Sequence, residues 1–123
     1  MQNGYKSKKN DSYCNCLLLS CFNNPDINVI KYLIEEQKMN VNVRNKHGGN
    51  CLTLACSYSS NIDIIKYLIE DCKININIKN NNGSDCLKLA CWNNKNINII
   101  KYLYENCKMN IKSIDNYDNN SLI

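Results

Sequence analysis

The sequence predicts an all-α solenoid of helix-loop-helix repeats joined by extended arms and turn tips, with three full repeats and a truncated fourth. Three observations lead there. Asn15 to Glu35, Asn50 to Glu70 and Asp85 to Glu105 align without a gap, as NCLLLSCFNNPDINVIKYLIE, NCLTLACSYSSNIDIIKYLIE and DCLKLACWNNKNINIIKYLYE, recurring every 35 residues. A period of that size on so short a unit marks a stacked repeat. Each copy holds two stretches of apolar residues at helical spacing, and His47-Gly48 and Asn82-Gly83 punctuate the joins between copies.

In chain order, residues 1–9 are polar and are expected to be disordered, the repeats span 10–44, 45–79 and 80–114, and 115–123 begins a truncated unit with Asn120-Ser121-Leu122-Ile123. Tyr13 stands where Gly48 and Gly83 stand, so the first tip is expected to be irregular. The middle copy shows the elements best. Asn50 is placed to cap a short first helix in which Cys51, Leu52, Ala55, Cys56 and Tyr58 fall at helical spacing. Asn61 caps a second helix, whose Ile65, Leu68, Ile69 and Cys72 recur at i, i+3, i+4 and i+7, widened by Ile64 and Tyr67. The pattern then alternates strictly over Ile74-Asn75-Ile76-Asn77-Ile78, which in isolation reads as a strand. Asn80-Asn81-Asn82-Gly83 supplies the turn tip, Asn82 and Gly83 both tolerating positive φ. Tyr32, Tyr67 and Tyr102 recur within the second helix and are expected to pack in the core.

The net charge of +4 is mild and spread along the chain. Lys31, Lys66 and Lys101 precede Glu35, Glu70 and Glu105 by four residues, a spacing that offers local charge compensation on a helix. Lys38, Lys73 and Lys108 form a second ladder without an obvious acidic partner. With one arginine in the chain and no aromatic interleaved with the ladder, the expectation is no nucleic-acid partner. No stretch approaches the roughly 20 apolar residues of a membrane span, and the N-terminus lacks the apolar core of a secretion signal. The expectation is a soluble intracellular protein with no membrane partner. Eight of the nine cysteines occupy repeated positions, at Cys16, Cys51 and Cys86, at Cys21, Cys56 and Cys91, and at Cys72 and Cys107. Helical residues five apart are separated by about 7.5 Å along the axis, and equivalent residues of packed helices by about 8–10 Å, both too far for a disulfide. Small buried hydrophobes are the expected role, in a reducing compartment.

NGSDCLKLAC followed by INIIKYLYE resembles the ankyrin repeat, with its glycine turn, TPLHLA-type first helix and IVKLLLE-type second helix, over residues 10–123. The match is specific in Asp63 to Glu70 and in Leu52-Leu54-Ala55. The chain departs from the family at Asn50-Cys51, where Thr-Pro is usual, at Thr53 in place of His, and at Ser59-Ser60-Asn61 in place of Gly-His. Each unit is also longer than the usual repeat of about 33 residues. The Asn- and Ile-rich composition resembles that of ankyrin proteins carried by giant DNA viruses of amoebae, which implies host cytoplasm as the location and a host protein as the partner.

The resemblance implies a non-enzymatic module that binds protein with its turn tips and the exposed, concave side of its first helices. Matched by position, the candidate contacts are Arg44, Lys46, His47 and Gly49, then Lys79, Asn81, Asn82 and Ser84, on the tips. On the helices they are Phe22, Asn23, Ser57, Tyr58, Trp92 and Asn93. Phe22, Tyr58 and Trp92 stand out because large aromatics dominate interface energetics. Catalytic groups are not expected: there is no phosphate loop, no Cys-x-x-Cys and no zinc motif, and His47 is the one histidine that could serve as a base. No cofactor or metal is expected. No polar capping repeat is visible at either end, which leaves self-association, or a structural remnant of a longer array, as the alternative reading.

Overall fold

The computed structural model describes residues 15–112. Each repeat contributes a first helix and a second helix that folds back against it: α1 (Cys16–Asn23) and α2 (Ile27–Lys31), α3 (Cys51–Tyr58) and α4 (Ile62–Lys66), α5 (Cys86–Asn93) and α6 (Ile97–Lys101). Among the described residues there is no strand. The first helices pack on one another along the stack, and the second helices form the layer behind them. The repeat boundaries at 10–14 and 113–123, with the expected disorder of 1–9, lie outside the described residues.

Asparagine or aspartate starts each of the described α-helices. The side chains of Asn15, Asn50 and Asp85 accept from the backbone N–H three residues on, and those of Asp26, Asn61 and Asn96 from the N–H two residues on. These bonds satisfy donors that a helix start otherwise leaves open. At α3 the cap is reciprocal, with Asn50 N–H donating to Thr53 Oγ1 at 2.8 Å and Thr53 N–H to Asn50 Oδ1 at 2.9 Å. Thr53, a departure from the usual histidine, thus completes a buried capping box.

Each second helix widens into a five-residue π-helical turn, Tyr32–Glu36, Tyr67–Asp71 and Tyr102–Asn106, closed by the N–H of Gln37, Cys72 and Cys107 on the tyrosine carbonyl at 3.0–3.1 Å. The next residue, Lys38, Lys73 or Lys108, is left-handed at φ 57°, 59° or 61°. It ends the helix as glycine often does, letting Met39, Ile74 and Met109 bond back to the carbonyls of Leu33, Leu68 and Leu103. The lysine ladder marks helix termination.

The alternating arm does not stay straight. Asn40 and Asn75 accept from the N–H two residues on at 2.9 Å, and a backbone bond from Val43 or Ile78 to the same residue closes a turn. At the tip, Asn80 accepts from Gly83 N–H through its carbonyl and from the N–H of both Asn82 and Ser84 through Oδ1; Asn45 repeats the arrangement with Gly48, His47 and Gly49. Of the turn dipeptides only the glycines carry positive φ, 84° at both Gly48 and Gly83. At Gly48 a side chain would also strike Asn81, whose Oδ1 would lie 2.5 Å from the added carbon.

The core is one continuous cluster through all three repeats, with Leu17, Leu52 and Leu87 from the first helices and Ile30, Ile64, Ile65, Leu68, Ile99 and Leu103 from the second. Two expectations need correction. Tyr67 and Tyr102 are buried, at 6% and 7% exposure, but Tyr32 is 53% exposed because the covering surface is always the preceding repeat. Cys21, Cys51, Cys56 and Cys86 are buried, whereas Cys16 and Cys91 lie exposed on the outer faces of the first and third repeats.

Candidate functional site

Leucines at one repeated position, Leu19, Leu54 and Leu89, line an open groove along the first helices, Leu19 exposed and Leu54 and Leu89 half-buried, with Leu54 also packed against the core. Phe22 and Tyr58 join them, and Asn45, His47, Gly49 and Asn80 bring the turn tips to the rim of a space of about 410 Å³. A neighbouring depression shares Tyr58, Asn80, Leu89 and Asn93, and extends the surface to Asn82, Ser84 and Trp92. Phe22 meets Tyr58 edge to face, with ring centroids 4.5 Å apart and planes at 79°, a favoured aromatic arrangement. Trp92 is 69% exposed.

The predicted contact residues divide into two groups. Phe22, His47, Gly49, Ser57, Tyr58 and Asn93 line the groove itself, with Asn82, Ser84 and Trp92 on its extension. Arg44 and Asn81 instead staple the frame: the Arg44 guanidinium donates to the carbonyls of Gly48 and Lys79, and Asn81 donates through its backbone N–H to His47 and through its side chain to Lys46, each at 2.9 Å. Lys46 and Lys79 lend their carbonyls to this network while their residues stay exposed at the tips. Ser57 and Ser84 are buried and Asn23 is exposed. Asn93 serves both purposes, donating to Ser57 Oγ at 2.8 Å from within the groove wall.

The leucine ladder and the tip-building Asn45 and Asn80 are absent from the sequence-based set. The leucines had a legible signal, one apolar residue held at the same position in all three copies. The asparagines had none, standing among many others.

Behind the groove, Tyr67 donates its hydroxyl to Glu35 of the preceding repeat at 2.6 Å, and Tyr102 to Glu70 at 2.5 Å. Lys31 and Lys66 sit over the same rings at 5.4 and 5.5 Å from their centroids. The lysine and glutamate four apart therefore do not pair with each other; together they clasp the next repeat's tyrosine. Burial, reinforced by the carboxylate bond, pushes both tyrosine pKa values well up. Burial also raises the Cys56 thiol well above its usual range, with a hydrogen bond to Cys86 adding to the effect, so this cysteine is held in its protonated, poorly nucleophilic form. Among the described residues no group of three histidine, cysteine, aspartate or glutamate side chains is placed to hold a metal ion. No described helix is long and apolar enough to cross a membrane.

A family model described as ankyrin repeats, in three copies, matches residues 17–115. The chain belongs to the ankyrin repeat family. Ankyrin repeats are generally non-enzymatic modules that bind other proteins. No curated protein matches this ankyrin chain. Among solved structures it is similar to a chain of the complex between the Bd0816 predatory endopeptidase from Bdellovibrio bacteriovorus and the immunity protein Bd3460. The sequences are 26% identical, the TM-score is 0.65, and the match covers 74% of this chain and 45% of that one. This chain thus spans less than half the length of that neighbour.

Proposed function

We propose that this ankyrin chain binds a partner protein, without catalysis, in the groove along its first helices, with Phe22, Tyr58 and Trp92 as anchors. The observation that carries this reading is a row of leucine and aromatic side chains, Leu19, Tyr58 and Trp92 exposed and Phe22, Leu54 and Leu89 half-buried, between walls of hydrogen-bonded frame. Apolar groups held in place before binding lose little conformational freedom when a partner docks. His47, Asn82 and Asn93 supply polar contacts beside those anchors, and Lys46 and Lys79 supply charge at the rim. Arg44 and Asn81 contribute by holding the tips in register. The resemblance to ankyrin proteins of amoebal giant viruses supports a host-cell protein as partner and host cytoplasm as location.

The test is an affinity pull-down from host-cell lysate with wild type and a Tyr58→Ala, Trp92→Ala double variant, after circular dichroism has shown equal helicity. Both side chains are largely exposed, so the fold is expected to survive. A protein recovered by wild type and lost with the variant supports the groove. Equal recovery of the same protein by both would exclude these anchors.

A further inference from the structure

Burial at equivalent positions of the three repeats separates the second-helix layer into two kinds of face. One is covered by the preceding repeat: Ile64, Tyr67 and Leu68, like Ile99, Tyr102 and Leu103, are buried, while their first-repeat counterparts Val29, Tyr32 and Leu33 are exposed or half-buried. The other is covered by the following repeat: Ile27 and Ile62 are half-buried, whereas Ile97 is 62% exposed. Among the described residues, the exposed face of the first repeat and the exposed face of the third are therefore the two halves of an interface that the chain builds twice within itself.

The polar groups match as well as the apolar ones. Inside the stack, Glu35 with Lys31 clasps Tyr67, and Glu70 with Lys66 clasps Tyr102. Glu105 and Lys101, the third members of these series, are exposed on the third repeat. Tyr32, the first member of the tyrosine series, accepts from Gln37 Nε2 at 2.8 Å and keeps its own hydroxyl proton for donation. We propose that a second copy of this chain docks head to tail, third repeat on first, with Glu105 and Lys101 of one molecule clasping Tyr32 of the other. Continuity with the interior interface selects this occupant, because a single register satisfies Glu105, places Lys101 over a ring and covers Ile97. The contact joins unlike faces and does not close on itself, so it propagates into longer stacks. It does not depend on the groove.

Sedimentation velocity of the full chain from about 1 μM to about 1 mM, the span in which small transient contacts dissociate, is expected to show mass rising with concentration. Tyr32→Glu sets a carboxylate against Glu105, and Ile97→Asp sets one in the apolar contact; both positions are exposed, so helicity is expected to be kept. Each variant alone is expected to be monomeric. Their equimolar mixture is expected to give a dimer and nothing larger, since each retains one intact face. Tyr32→Phe, which removes only the donated hydroxyl, is expected to weaken association about fivefold to tenfold. A wild-type chain that stays monomeric throughout, a dimer that survives in both single variants, or folded variants that fail to pair when mixed would each overturn the proposal.

Discussion

The joint between the first and second repeats and the joint between the second and third share one backbone register, yet they are closed by different chemistry. At the seventh and eighth positions of the first helices, Phe22 packs edge-on against Tyr58 at the first joint, while Ser57 accepts from Asn93 at the second. Between the helices, Asn61 donates to the Pro25 carbonyl at the first joint and Asn96 to the Ser60 carbonyl at the second. At the second joint alone Asn94 also reaches back, to the carbonyls of Cys56 and Ser59 at 2.8 and 2.7 Å; its counterpart Ser59 bonds its own Asn61 N–H instead. A solenoid fixes where neighbours meet and leaves open whether the contact is aromatic or amide. Joint stability is then roughly additive over nearest neighbours, and each joint can be altered separately.

The largest effect is expected from Leu68→Ala, because the second repeat serves both joints and Leu68 is fully buried. A loss of about 2–5 kcal/mol in urea unfolding is expected, and a loss under 1 kcal/mol would mean the joints do not share that core. Next comes Asn94→Ser, which copies the second repeat's residue into the third. Removing two amide bonds from a partly buried site should cost about 1–3 kcal/mol, and hydrogen exchange should rise in the third repeat before the first. If the first repeat loosens first, the Asn94 amide bonds do not hold the second joint.

The tyrosine clasps are common to both joints, so Tyr67→Phe and Tyr102→Phe should cost similar amounts, about 1 kcal/mol each. Their raised pKa values give a pH signature with a definite sign. The folded chain keeps these protons more tightly than the unfolded chain, so the stabilisation is complete below the ordinary tyrosine pKa of about 10 and is lost as pH rises through the higher folded values. The double Phe variant should unfold less steeply with alkaline pH than wild type, and identical profiles would remove the clasp. The smallest effect is the coupling at the aromatic pair. A double-mutant cycle on Phe22 and Tyr58 should return about 0.5–1.5 kcal/mol, and a zero value would make the ring contact incidental.

Fold and helix starts were legible in the sequence because they rest on patterns internal to one repeat. The 35-residue register, the caps at Asn50 and Asn61 and the glycines at the tips all follow from spacing and local hydrogen bonding. What escaped depends on neighbours. Tyr32 and Tyr67 occupy one position in one motif, and the preceding repeat that covers Tyr67 and supplies Glu35 separates the buried ring from the exposed one. Cys16 and Cys91 also differ from their equivalents by place in the stack, Cys16 being exposed in the first repeat and Cys91 in the third. The π-helical turns escaped because their residues also fit an ordinary helix end. In the candidate site, Phe22, Tyr58 and Trp92 stood out as large aromatics and His47 as the one histidine, whereas Leu19, Leu54 and Leu89 passed as members of the repeat. Arg44 and Asn81 look like free tip residues in sequence, and the bonds that occupy them cross between repeats.

The turn at Asn75 bears on what happens when the chain unfolds. Ile74-Asn75-Ile76-Asn77-Ile78 is uncharged, free of proline and rich in β-branched residues, a composition that favours extended, strand-like backbone. In the folded stack the Asn75 side chain folds that segment into a turn, so it presents no strand edge on which another chain could template. Loss of the native fold therefore frees this β-prone segment from its turn, and the half-life of the folded state sets how long the turn is kept.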